Sequence, residues 1–135
     1  MATFNKFNAF VEALAEKVHN LGSDQLTVAL TNTLPTASNS VLADISQISY
    51  TNLSSRNITT TSSSQTGGLY KLILTDLTLT ATGAVGPFRY VVIYNSTAAS
   101  GNLIAWFDYG SSISLANGDT LTIDFDATNG LLQLS

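Results

Sequence analysis

Two stretches of this chain carry apolar side chains in both phases of a strand: Phe88 to Tyr94 (FRYVVIY) and Leu103 to Tyr109 (LIAWFDY). Strand side chains alternate between faces, so a half-solvated strand should alternate apolar with polar. Here the alternation predicts Phe88, Tyr90, Val92 and Tyr94 on one face, with Val91 and Ile93 on the other. In the second stretch it predicts Leu103, Ala105, Phe107 and Tyr109 together, with Ile104 and Trp106 reversed. Both faces of such a pair need a cover. One cover is a second sheet; the other is a helix, a loop or a neighbouring protein.

The remaining pattern predicts one helix and many short strands. Phe7, Phe10, Val11, Leu14 and Val18 recur at spacings of three and four, the stripe of an amphipathic helix. A helix is expected over about residues 4–19, capped by Thr3 or Asn5, with Lys17 and His19 near its negative end and Asn20 to Gly22 as stop. From Gln25 the period becomes two: Leu26, Val28 and Leu30 alternate with Thr27, Ala29 and Thr31. Residues 32–40 read as a loop and 41–50 fit either a short helix or a strand entry. Residues 56–62 read as a polar edge strand and SSSQTGG (62–68) as a flexible turn. Tyr70, Leu72 and Leu74 share a phase that slips by one at Asp76 to Leu77 and Leu79, as a bulge or bend would cause. Further strands are expected over 113–115, 120–126 and 131–134, with turns at Asn117-Gly118 and Asn129-Gly130.

This amounts to about eight or nine strands and predicts a mainly β protein. The expected architecture is a two-sheet antiparallel sandwich with one N-terminal α-helix, a jelly roll being the alternative strand order. One domain is expected of 135 residues, with residues 1–22 as a helix packed on the sheet or on a neighbour and 23–135 as the body.

Composition changes the picture at the surface. Only 10% of residues are charged, against about 25% in an ordinary globular protein, and about a third are Ser, Thr or Asn. Either this is a Thr-rich β protein, or its surface lies against other protein. The five basic residues are scattered and the net charge is −4, which argues against a phosphate-tracking nucleic-acid groove. Without cysteine there are no disulfides, thiolate nucleophiles or thiolate metal sites. No stretch approaches the roughly 20 apolar residues that span a bilayer, and MATFNKFNAF lacks a signal-type apolar run. A cytoplasmic origin and no membrane partner are therefore expected.

Candidate chemistry is thin, and no enzyme activity and no cofactor are expected. His19 is the sole histidine, no G-x-S-x-G elbow accompanies it, and a packing or surface role is the expectation. Asp119, Asp124 and Asp126 bring calcium to mind, but the EF-hand spacing fails after Asp126, so solvated acids are expected rather than a metal site. The pair Asp124 and Asp126 has no surroundings to raise one carboxyl for glycoside hydrolysis. Trp106, Tyr90, Tyr94 and Tyr109 form either packing or, as a reading of another class, a glycan-stacking platform.

The segments VHNLGSDQLTVALTNTLP (18–35), ISYTNLSSR (48–56), GPFRYVVIYN (86–95), WFDYGSSISL (106–115) and TIDFDATNG (122–130) resemble a family of small virion proteins of tailed bacteriophages. The resemblance runs along nearly the whole chain, in structural rather than catalytic sequence. It implies a capsid decoration, or cement, protein made in the host bacterial cytoplasm and carried on the capsid surface of the virion. The implied partners are the major capsid protein and further copies of the chain, as a homodimer or homotrimer. A tail or head–tail connector protein is the alternative within the same group. The candidate interface residues are Phe7, Phe10, Val11, Leu14, Tyr90, Tyr94, Trp106 and Tyr109.

Overall fold

The computed structural model describes residues 2–135. In chain order the elements are β1 (Phe4–Lys6), α1 (Asn8–Ala15), β2 (Leu26–Thr31), a 3-10 turn (Leu42–Asp44), β3 (Asn57–Ile58), β4 (Thr60–Thr66), β5 (Leu69–Leu74), β6 (Leu77–Thr80), β7 (Val85–Asn95), β8 (Leu103–Leu115), β9 (Thr120–Ile123) and β10 (Leu132–Leu134). The protein is mainly β, with one α-helix among the described residues and every strand pairing antiparallel. Among the described residues no helix is long and apolar enough to cross a membrane.

A five-stranded sheet in the order β1-β8-β7-β2-β3 forms one layer. The opposing layer is divided into a three-stranded sheet, β10-β5-β4, and a two-stranded sheet, β6-β9. The arrangement is sandwich-like, and its divided second layer departs from the paired four-stranded sheets of a jelly roll. The chain crosses between the two small sheets at Thr75-Asp76, where the sequence shows its phase slip. There Asp76 Oδ1 accepts the Phe125 backbone N–H at 2.8 Å, tying the crossing to the end of β9. The main core lies between the layers and joins Val28, Leu30, Val91 and Ile93 to Leu72, Leu74, Leu79 and Ile123.

The double-faced pair sits at the centre as β7 and β8, and its face assignment differs from simple alternation. Val28, Ile93 and Ala105 are in register across three strands, as are Ala29, Val92 and Trp106. Between Ile93–Ala105 and Tyr94–Leu103 the register shifts, leaving Ile104 as an extra residue. Leu103 therefore joins Val92, Tyr94 and half-buried Trp106 on the outer face, while Ile104 enters the main core with Ala105. A second shift between Phe88 and Tyr90 places Phe88 with Val91 and Ile93 instead of with Tyr90. The bulge at Ile104 adds one residue to β8 and reverses the phase beyond it, whereas from Phe88–Ile113 to Tyr90–Asp108 β7 advances two residues against five on β8.

The outer face finds its cover inside the chain. Phe7, with no exposed surface, stacks on Trp106 at 4.6 Å between ring centres, and Ile45 and Leu42 pack beside Val92, Tyr94 and Leu103. The loop bearing Leu42 is held down by Leu103 N–H donating to Ser40 O at 3.0 Å and by Asp44 Oδ2 accepting from Ser40 and Val41 N–H. Asp44 is thereby held below the usual carboxylate range, first by Ser40 and then by Val41. An external partner is not needed to hide this face.

The helix is shorter than its apolar stripe predicts. Phe4–Lys6 instead pairs with Phe107, Trp106 and Ala105 along the free edge of β8, because an unpaired edge offers backbone partners that outweigh one helical turn. Phe7 occupies the N-cap position without a side-chain hydrogen bond, so neither Thr3 nor Asn5 caps the helix. At the other end Val18 N–H reaches Ala13 O and Lys17 N–H reaches Leu14 O, with Lys17 left-handed at φ 69°. That is a Schellman ending on lysine, several residues before the expected Asn20–Gly22 stop. Phe7 and Phe10 consequently enter opposite faces of the large sheet.

Three smaller expectations also change. The SSSQT of 62–66 belongs to β4, and only Gly67-Gly68, both at positive φ, makes the turn into β5. Residues 103–115 form one continuous strand that carries Gly110 at φ 85°. The polar strand expected over 56–62 divides into β3 and the start of β4, each in a different sheet.

Candidate functional site

An apolar groove of about 550 Å³ runs between β1, α1 and β10. Phe4 and Lys6 form one wall, Val11 and Leu14 the second, and Leu132 and Leu134 the third. Its shape follows from two local events. Phe7 N–H donates to Ile104 O at 3.2 Å and Asn8 N–H to Ala37 O at 2.9 Å, which pins the start of α1 beside β8. Opposite, Gly130 at φ 80° turns the chain so that Leu131 N–H donates to Leu72 O at 2.7 Å. That bond sets β10 against β5, in register from Leu132–Leu72 to Leu134–Tyr70.

Within the groove Phe4, Val11 and Leu134 are 37%, 51% and 46% exposed. Single exposed apolar side chains are ordinary on any protein surface, but a gathered set marks a contact site. Each flanking strand also has one unpaired edge, since β1 pairs only with β8 and β10 only with β5. Val18 and Leu34 are exposed as well, Val18 lining a neighbouring cavity with Leu14 and Leu134.

The eight residues singled out from sequence divide sharply. Phe7, Phe10, Tyr90 and Tyr94 are buried within the chain and offer no contact surface in this conformation. Leu14, Trp106 and Tyr109 are half-buried, and Val11 is exposed. Val11 and Leu14 meet in the groove, whereas Tyr109 lines a separate cleft with Asp108, Gly110 and Asp124. The aromatic quartet shares no platform: Trp106 backs onto the outer-face cluster, while Tyr109 packs against the main core. Phe4, Val18, Leu132 and Leu134 were missed. Phe4 lies outside the helical stripe, and Leu132 and Leu134 became part of a groove only when β10 docked on β5.

The acidic candidates serve turns. Asp126 Oδ1 accepts N–H of Thr128 and of Asn129 at 2.8 Å each, and Oδ2 accepts the Asn129 side-chain amide at 3.1 Å. The Asn129 backbone N–H, then its side chain, then Thr128 hold the Asp126 carboxyl below the usual range. A general acid in glycoside hydrolysis requires the opposite shift. Asp119 Oδ2 accepts the Ala116 N–H at 2.8 Å, and Asp124 is exposed. Among the described residues no three His, Asp or Glu side chains gather as a metal site.

In the Tyr109 cleft, Asp108 takes a bidentate pair from Arg89, at 2.8 Å from Nε and 3.1 Å from Nη2. Arg89 first, and then Gly110 N–H, hold Asp108 ionised below its usual range. Burial, with Asp124 adding, pushes the Tyr109 phenol up. This cleft therefore presents a fixed carboxylate and a protonated phenol, a polar contact rather than a proton-transfer couple.

No protein-family model, no curated protein and no solved structure matches the chain. The functional reading accordingly rests on the residues and on the groove.

Proposed function

We propose that this chain is a structural subunit of a tailed-phage particle, a capsid decoration protein that seats on the outer head surface and ties neighbouring capsomers together. The observation that carries the reading is the groove beside α1, where Phe4, Val11 and Leu134 stand open between two unpaired sheet edges. The resemblance in segments 18–35, 48–56, 86–95, 106–115 and 122–130 points the reading toward such a particle. The apolar excess supports the reading less than composition implied, since the outer face of the large sheet is covered by Phe7, Leu42 and Ile45. Contact is therefore assigned to the groove, and the aromatic faces of β7 and β8 serve the subunit's own rigidity.

Such a role asks for a stiff body and several modest contacts repeated by symmetry. A stable pairwise contact buries about 1,200–2,000 Å², and repetition around a shell multiplies weaker ones. Low charge suits this, because stranded charges are the costly groups to bury. Besides the major capsid protein, a second copy of the chain is the partner, as a homodimer or homotrimer.

Two measurements test the reading. In light scattering after size exclusion the wild-type chain should run as a dimer or trimer, and the double variant Val11→Glu, Leu134→Glu should shift to monomer with unchanged circular dichroism. A wild-type monomer at every concentration removes the self-association. Phage heads stripped of the subunit should then take it up in hundreds of copies. Uptake confined to one ring per particle transfers the protein to the tail or connector, and no uptake removes it from the particle.

A further inference from the structure

Asn95 ends β7 with its side-chain orientation fixed from both sides. Its Oδ1 accepts N–H of Thr97 at 2.9 Å and of Ala98 at 3.1 Å. Its amide nitrogen therefore faces His19 Nδ1 at 3.0 Å and Asp24 Oδ2 at 2.7 Å. An amide nitrogen only donates, so Nδ1 is the acceptor and the imidazole proton sits on Nε2. His19 is 4% exposed and lies 5.3 Å from the Phe10 ring, and its Nε2 is buried with no hydrogen-bond partner among the described residues. A second proton has only Nδ1 to occupy, where it would point at the Asn95 N–H₂.

We propose that His19 is a proton-operated latch: protonation of Nδ1 breaks its bond to Asn95 and loosens residues 16–24 at the end of β7, leaving the Asn95–Asp24 bond and buried Leu21 as the remaining ties. The loosened segment is bounded on one side by Phe10, buried in the main core. On the other side Gln25 is held independently, its O accepting Ser96 N–H and its N–H donating to Thr97 Oγ1, both at 2.9 Å. Between these anchors Asp24 Oδ2 also accepts Asn20 N–H at 2.8 Å, so the loop moves as a unit. Its loosening widens the cavity that Leu14, Val18, Tyr70 and Leu134 line beside it.

The charged and titratable groups around this cavity are Lys17 from the end of α1, Asp24 from the loop and Tyr70 from β5. Asn95 from β7, Ser63 from β4 and Leu134 from β10 do not titrate in the relevant range. Asp24 favours the imidazolium, but burial is the larger influence and holds His19 below the ordinary histidine range. The folded state thus binds the proton less readily than the unfolded chain, whose histidine titrates near 6.5. The stability contributed by neutral His19 is whole above about pH 6.5 and is lost as pH falls through the lower folded value.

Because His19 is the only histidine, nitrogen-15 NMR of the full-length chain reads it directly. The expected result is the Nε2–H tautomer at pH 7.5 and a titration midpoint below 6.5. In that same transition, amide exchange of residues 17–24, corrected for intrinsic rate, should quicken at least tenfold while Val91 to Ile93 stays protected. In His19→Gln, whose amide oxygen accepts from Asn95 without titrating, the pH dependence should vanish. An Nδ1–H tautomer, a midpoint at or above 6.5, or unchanged exchange on protonation overturns the latch. So does a folded His19→Gln that keeps the wild-type pH dependence. Should that variant not fold, the wild-type titration and exchange decide alone.

Discussion

Replacing Phe7 with alanine should destabilise the subunit by about 3–5 kcal/mol, the usual cost of removing a fully buried phenylalanine ring. That is a large share of the 5–15 kcal/mol that typically holds a domain together. For a chain of this size it corresponds to a melting temperature lower by roughly 10–20 °C. The expectation rests on Phe7 having no exposed surface and stacking on Trp106 against Val92, Tyr94 and Leu103. Phe7→Leu, which keeps most of the volume, should cost under about 2 kcal/mol. Val11→Ala on the open side of α1 should change stability by no more than about 0.5 kcal/mol. Urea unfolding followed by circular dichroism measures all three. A Phe7→Ala cost below about 1 kcal/mol would mean that the outer face of β7 and β8 is covered by something other than this side chain, and a neighbouring subunit would return as the cover.

Gly130→Ala should be the most damaging of the glycine substitutions that keep a turn in place. A Cβ there would stand 2.4 Å from Leu72 O and 3.0 Å from Leu72 C, both backbone atoms, at φ 80°. Neither atom can withdraw without breaking the pairing of β10 with β5. Gly118 offers the internal control: its φ is 89° and nothing lies within 4 Å of the added carbon. Left-handed strain alone costs about 1–2 kcal/mol, which sets the expectation for Gly118→Ala. Gly130→Ala should cost about 2–4 kcal/mol and should also remove amide protection from Leu131 to Leu134. Equal costs at the two positions would show that the docking of β10 does not depend on this close approach. Since β10 forms one wall of the groove, Gly130→Ala should also weaken self-association at temperatures where the body remains folded.

Much of this fold is legible along the chain because strand and helix periods are local properties. The alternation in Leu26 to Thr31, the turn at Gly67-Gly68 and the double-faced character of β7 and β8 all follow from residues close in sequence. The phase slip at Asp76 marks a real event, the passage of the chain from one small sheet to another. The groove was only partly visible: Val11 and Leu14 belong to a readable stripe, but Phe4 and Leu134 lie 130 residues apart in a chain of 135. The chemistry of His19 was hidden for the same reason, since its partner Asn95 is separated from it by 76 residues.

The amino-acid order by itself determined that this is a mainly β protein with one amphipathic helix near its start and a central strand pair buried on both faces. Those properties depend on side-chain type and spacing, which need no distant partner. Only the tertiary structure decided which residue of each strand faces which way, because a one-residue bulge at Ile104 and a larger register shift beyond Phe88 break the alternation. It also decided that Phe4–Lys6 leaves the helix for the edge of β8, and that Phe7 and the loop at Leu42 to Ile45 close the outer face. Each of these is a competition between a local preference and a partner brought from far along the chain. The distant partner wins wherever it fills an open sheet edge or an uncovered apolar face.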